Sequence, residues 1–172
     1  MAAQKFLSIV NGVKTLLQAI TSSAGAADAG KMVALDDAGR LDNSMMPVGI
    51  GADTKAIVAS ENLSAGDFVN VYNNAGTSNV RKADATTAGK ECNGFVLAAV
   101  TSGQNATVYF EGTNTQRTGL TIGTRYVLAT TAGGIVAKAS APSASGNVQQ
   151  EVGVAISATE ISFEPSEPIV IG

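Results

Sequence analysis

Hydrophobic positions change period once along the chain, near residue 55. Between Lys5 and Ile20 (KFLSIVNGVKTLLQAI) apolar residues fall at Phe6, Ile9, Val13, Leu16 and Ile20, spaced three, four, three and four. That spacing is a heptad seam and predicts an amphipathic α-helix within residues 1–22. Leu7, Val10 and Leu17 widen the stripe, while Lys5, Asn11, Lys14 and Gln18 fall opposite. Three placements suit such a helix: lying on its own domain, bundling with copies of itself, or docking on a partner. Two heptads alone are marginal, so a bundle needs help from the attached domain. Lys5, the apolar stretch and SSAGAADA also imitate a secretory leader, but Asn11, Gly12 and Lys14 interrupt its apolar region.

Residues 23–54 read as a linker and extended arm. TSSAGAADAGK is small and flexible. MVALDDAGRLD gives a short apolar strand, then a turn at Asp37-Ala38-Gly39. Pro47, Gly49 and Gly51 force an extended, irregular path.

From residue 56 the period is two, and glycine punctuates every several residues. Strands are predicted at 56–60, 67–72, 79–82, 94–99, 106–111, 125–129, 135–138, 152–157 and 160–164. LSAGDFVNVYNNAG at 63–76 then returns as LTIGTRYVLATTAG at 120–133. Leu63 matches Leu120, Gly66 matches Gly123, Val69 matches Tyr126 and Val71 matches Leu128. With small gaps, Gly94-Phe95-Val96 matches Gly153-Val154-Ala155, and Val108-Tyr109-Phe110-Glu111 matches Ile161-Ser162-Phe163-Glu164. One copy of about four strands cannot bury its own apolar face. The expected fold is therefore mainly β. A duplicated β-module forms a sandwich or barrel over residues 55–172, with halves near 56–112 and 113–172, behind the helix and arm.

Composition narrows the chemistry. The 172 residues are 45% hydrophobic and 15% charged, enough for a core and too apolar for a charged disordered chain. Net charge is −3, and the cations are scattered, which disfavours nucleic acid. No run approaches the roughly 20 apolar residues of a helical membrane span. Histidine is absent, so there is no imidazole base, no histidine metal ligand and no Ser-His-Asp triad. Cys92 is the one cysteine, flanked by Glu91, and reads as a plain exposed or half-buried thiol.

Several short patterns fail on inspection. Gly25, Gly30 and Lys31 have P-loop spacing, but Met32 stands where Ser or Thr is needed. Gly49-Ile50-Gly51 lacks the third glycine of a dinucleotide fingerprint. Asp36, Asp37 and Asp42 lack the ligand spacing of a calcium loop and read as turn chemistry. No lysine has a serine three residues before it. Asn62-Leu63-Ser64 and Asn105-Ala106-Thr107 match a glycosylation acceptor too common to carry weight. A carboxylate hydrolase is the remaining enzymatic alternative, with Glu111 and Glu164 as the residues to replace. No catalytic, cofactor-binding or metal-ligating set is therefore assigned. The candidate functional residues are apolar interface positions: Phe6, Ile9, Val13, Leu16 and Ile20 on the helix, and Ile169, Val170 and Ile171 near the end, able to add a strand to a sheet edge.

Segments 29–54 (AGKMVALDDAGRLDNSMMPVGIGADT), 63–76, 119–136 (GLTIGTRYVLATTAGGIV) and the closing GVAISATEISFEPSEPIVIG resemble small virion proteins of tailed bacteriophages, above all capsid decoration (cement) proteins. Similar glycine-punctuated modules occur in phage tail-fibre and baseplate proteins. The resemblance implies a non-enzymatic protein made in the bacterial cytoplasm and carried on the outer surface of the capsid. Its implied partners are the major capsid protein and copies of itself, as a dimer or trimer, with no cofactor, nucleic acid or membrane. A tail-fibre or baseplate adaptor, or a receptor-binding module, is the alternative.

Overall fold

The computed structural model describes residues 4–46 and 53–172. The chain forms two compact units, Met1–Gly51 and Ala52–Gly172. The path expected of Pro47, Gly49 and Gly51 lies outside the described residues.

The first unit corrects the predicted helix. Residues 5–18 form a β-hairpin of β1 (Lys5–Val10) and β2 (Val13–Gln18), paired from Lys5↔Gln18 to Val10↔Val13. The reversal is at Asn11-Gly12, with φ of 50° and 80°. Positive φ at both central residues is the type I′ pattern, whose twist suits a two-residue hairpin. Asn and Gly adopt it cheaply, whereas both are poor in a helix interior, Gly by about 1 kcal/mol. β-Branched Ile9, Val10, Val13 and Thr15 flank the turn and favour strands. The three-four spacing was therefore coincident with a strand–turn–strand. Beyond the hairpin, Ile20 bridges to Val33 in parallel. The following turn is held by Asp36, whose carboxylate accepts from the Ala38 and Arg40 N–H groups at 2.9 and 2.8 Å. Asp42 caps a short 3-10 turn (Asn43–Met45) by accepting from Ser44 N–H.

The second unit is mainly β, with one short 3-10 turn at Lys138–Ser140. Strands β3 (Thr54–Ala59), β4 (Phe68–Asn74), β5 (Thr77–Lys82), β6 (Gly94–Val96) and β7 (Asn105–Tyr109) close into a small barrel. Then follow β8 (Gly112–Asn114), β9 (Arg125–Leu128), β10 (Ile135–Ala137), β11 (Val148–Gln149), β12 (Glu151–Ala155), β13 (Ile161–Phe163) and β14 (Ile169–Val170). All nine predicted strands of this region are present. The short β8, β11 and β14 were too brief to leave a period.

The two sheets share one wiring. The open sheet runs β10-β9-β12-β13-β8, and the barrel runs β5-β4-β6-β7-β3. The difference is closure. In the barrel β3 pairs with β7 and also, in parallel, with β5 through Val58↔Asn79 and Ala59↔Val80. Its counterpart β8 is half as long and, among the described residues, pairs only with β13.

The L-[ST]-x-G turns carry the same bonds. Gly66 N–H donates to Val96 O, and Gly123 N–H to Ala155 O, both at 2.8 Å. Asp67 and Thr124 N–H close the turn on Ser64 and Thr121 at 3.1 Å, and Val96 and Ala155 N–H return to Asp67 and Thr124 at 3.0 Å. Gly66 and Gly123 have φ of 85° and 77°, which a Cβ would strain.

Burial follows the alternation of the strands. Ile57, Ala59, Leu63, Val69, Val80, Val96, Ala106 and Val108 fill the barrel. Phe68 and Phe95, one position earlier on the same strands as Val69 and Val96, join a second core shared with Leu128, Val152, Ile161 and Phe163 of the open sheet. β4 and β6 are thus buried on both faces, which explains their nearly continuous apolar runs. Phe95 and Phe163 meet edge-on at 5.5 Å between ring centres, and Phe68 lies 6.0 Å from Phe163.

Buried polar groups cross the same seam. The Gln150 side chain accepts from Cys92 N–H at 2.7 Å and donates to Cys92 O at 3.0 Å, imitating a ladder rung. Asn114 and Arg117 both donate to Gly66 O at 3.0 Å.

Candidate interaction surfaces

The hairpin register decides what each side chain of the first unit faces. Lys5, Leu7, Ile9, Lys14, Leu16 and Gln18 share one face, and Phe6, Ser8, Val10, Val13, Thr15 and Leu17 share the other. The predicted seam is therefore split. Ile9 and Leu16 lie on the first face, Phe6 and Val13 on the second, and Ile20 lies past the hairpin. Phe6 and Ile20 are half-buried. On the first face Leu7, Ile9 and Leu16 are 64%, 70% and 65% exposed. Leu7 and Leu16 are direct cross-strand partners, so they form one apolar patch. Lys5 and Lys14 flank it, and among the described residues neither makes an ion pair.

Nothing among the described residues of this unit compensates for that exposure. Among its described residues Ala34 is the one buried apolar side chain. An isolated two-stranded sheet is marginal in water. The three residues of the first face leave on the order of 400 Å² uncovered, close to the apolar share of one side of a standard protein interface. Leu7 and the two lysines were missed as a group, because the helical reading set Lys5 and Lys14 opposite the apolar stripe. Asn11-Gly12 was the signal that could have found them.

The second surface is the last strand. Ile169 and Val170 are 66% and 55% exposed, and Ile171 is half-buried. β14 pairs with β11 as a separate two-stranded sheet within its own chain, Val170 opposite Val148 and Ile169 opposite Gln149. Gly146 N–H donates to Ile171 O, and Ile171 N–H to Asn147 O. Its side chains nonetheless stay in solvent. Glu164 and Glu167 are exposed just before it, and among the described residues neither makes an ion pair. The nearby Glu151 is already engaged by Lys138 and by Arg125 at 3.1 Å. The hydrogen bond from Lys138, with Arg125 adding to it, holds its carboxyl below the usual range against an opposing desolvation.

Several of the remaining candidate side chains are engaged within the fold. Cys92 is buried, which corrects its reading as an exposed or half-exposed thiol. Burial pushes its pKa up to about 12, although the N–H of Val69 and the backbone at Gly94 favour the thiolate. The thiolate is the nucleophile, so this sulfur is inert at neutral pH. Asp84 is desolvated, but hydrogen bonds from Thr86 and Lys90 outweigh that and hold its carboxyl below the usual range. Arg81 donates to Asn70 and to Gly89 O and lies 4.4 Å over the Tyr72 ring, fastening the 84–93 loop. Glu111 and Glu164 are both exposed, at the end of the barrel and after β13. Lys31 of the P-loop-like run is tied to Asp28 at 2.6 Å. No group of His, Cys, Asp or Glu able to hold a metal is found among the described residues.

Compared with known proteins, the chain matches no family model, no curated protein and no solved structure.

Proposed function

We propose that this chain is a non-enzymatic structural protein of a tailed-bacteriophage particle. In this reading it is made in the bacterial cytoplasm, decorates the outside of the capsid and stabilises the shell by bridging major capsid protein subunits. The observation that carries it is the hairpin, an apolar face in solvent on a unit whose described residues include one buried apolar side chain, Ala34. A binding element of that kind gains its stability from what it binds. Further support comes from the resemblance of segments 29–54, 63–76 and 119–136 to decoration proteins. The β body also suits the task. The whole chain is 15% charged, so it carries few long side chains to immobilise and contact costs little entropy. Many copies on a lattice make individually weak contacts strong.

The test is to image the particle, count the chain in it, and heat shells with and without the protein. Hundreds of copies on the shell, and earlier melting of bare shells, are expected. A few copies at the tail would replace this reading with the tail-fibre or baseplate one. Unchanged shell stability would remove reinforcement as the role.

A further inference from the structure

The hairpin has backbone edges as well as faces. Ala19 N–H donates to Gln4 O at 2.9 Å, and Val10 pairs with Val13 across the two-residue turn. Hydrogen bonding alternates along an antiparallel pair, so Phe6, Ser8 and Val10 bond to β2, while Lys5, Leu7 and Ile9 turn their N–H and C=O groups away from it. Among the described residues no strand lies on that far side, and no hydrogen bond reaches those groups. β1 is six residues long, whereas the open sheet's edge strands β8 and β10 have three each and β14 has two. The far edge of β2 is obstructed. At its end Ile20 N–H donates to Met32 O at 2.9 Å and Ala34 N–H to Ile20 O at 2.8 Å, so segment 32–34 takes the next strand position.

We propose that β1 pairs antiparallel with β1 of a second copy across a two-fold axis at Leu7, joining two hairpins into one four-stranded sheet. In this register all three outward residues find partners: Lys5 the partner's Ile9, Leu7 the partner's Leu7, and Ile9 the partner's Lys5. Each pair exchanges two hydrogen bonds, and a slip of two residues loses one pair. The side chains agree with the register. The middle row across the sheet reads Leu16, Leu7, Leu7, Leu16, and the rows beside it read Gln18, Lys5, Ile9, Lys14, so no lysine stands directly next to another. The matching register of β2 on β2, centred on Leu16, would put the partner's Gly12 where Val33 already bridges Ile20. The occupant is a second copy because this edge is its own complement, in hydrogen bonds and in side chains. It also meets the need of a two-stranded sheet for further strands. The contact is the same patch on both copies, so it closes at a dimer. It stands whether or not the chain decorates a capsid, and its test uses purified protein alone.

Full-length cysteine variants under mild oxidation read the register. Directly opposed residues of a hydrogen-bonded pair have Cα atoms about 5.5 Å apart, within the reach of a disulfide. Leu7→Cys should therefore link to itself. Lys5→Cys and Ile9→Cys should each stay unlinked alone, because like positions lie roughly 14 Å apart along the strands, and should link when mixed. Cys92 stays silent because it is buried. Sedimentation should show a dimer of the unmodified chain. Leu7→Pro removes an N–H that β2 does not use, so it should weaken that dimer by about tenfold, whereas Leu7→Ile, which keeps the N–H, should not. An unchanged far-UV spectrum reports intact folding. The proposal is overturned by a chain that stays monomeric and unlinked, as an edge awaiting another protein's strand would. It is equally overturned by an assembly of any other number, by a Lys5→Cys or Leu16→Cys self-link as strong as that of Leu7→Cys, or by Leu7→Pro without effect.

Discussion

Gln150 tests whether the barrel and the open sheet stand as one body. Its amide is buried and satisfies both backbone groups of Cys92, 58 positions earlier in the chain. Gln150→Met keeps the volume and removes the polar partner. Cys92 N–H and C=O are then left inside the protein without a bond, since Cys92 is itself buried. Each orphaned group costs about 1–3 kcal/mol, so the loss is about 2–6 kcal/mol. A domain has only about 5–15 kcal/mol in total. The Gln150 amide also donates to Ser166 O at 3.2 Å, but Ser166 is exposed and water replaces that bond. Urea unfolding followed by far-UV circular dichroism is the assay, with a lower midpoint and an unchanged slope as the expected result. Gln150→Glu adds a sign. At neutral pH it sets a carboxylate against the carbonyl oxygens of Cys92 and Ser166, which raises its folded pKa above the unfolded value. Its stability is then greatest below the unfolded pKa and declines as pH rises through the folded one. A midpoint shift worth less than about 1 kcal/mol for Gln150→Met would refute the reasoning, because surface substitutions fall within that range.

Four other outcomes are expected. Ala75 turns β4 into β5 with φ of 49°, a strained value for alanine, so Ala75→Asn should add about 1 kcal/mol in the same urea assay. Gly153 lies against the Ser162 carbonyl of β13, and a Cβ would collide with it, so Gly153→Ala should lower the melting temperature or prevent soluble expression. Asp84 has a depressed folded pKa, so its contribution is full above the unfolded value of about 3.9 and is lost as pH falls through the folded one. Asp84→Asn should therefore flatten the acid limb of the stability curve. Removing residues 1–22 should leave the melting of the β body unchanged while weakening assembly, as measured by sedimentation.

The β body was legible because its strands alternate and its turns use glycine. The repeat was legible because the L-[ST]-x-G turn needs one residue type at one place in both copies. Phe6, Ile9, Val13, Leu16 and Ile20 misled because a seam of three-four spacing arises by chance when both faces of a hairpin are apolar. Neither strand then alternates, and only Asn11-Gly12 marks the reversal. Gln150 and Asn114 were invisible for a different reason. Polar side chains read as surface, and what buries them is a backbone group some 50 residues away. Cys92 was misjudged in the same way: its neighbours in sequence are polar, while in space it belongs to the same buried core as Phe68, Phe95 and Val152.

The barrel's closing stave, β3, comes before its other four, so residues 54–109 contain everything needed to seal it. During synthesis it can finish while the later strands are still inside the ribosome. It then waits with Phe68 and Phe95 bare on its outer wall, a greasy landing pad that the remainder of the nascent chain must reach before any stranger does.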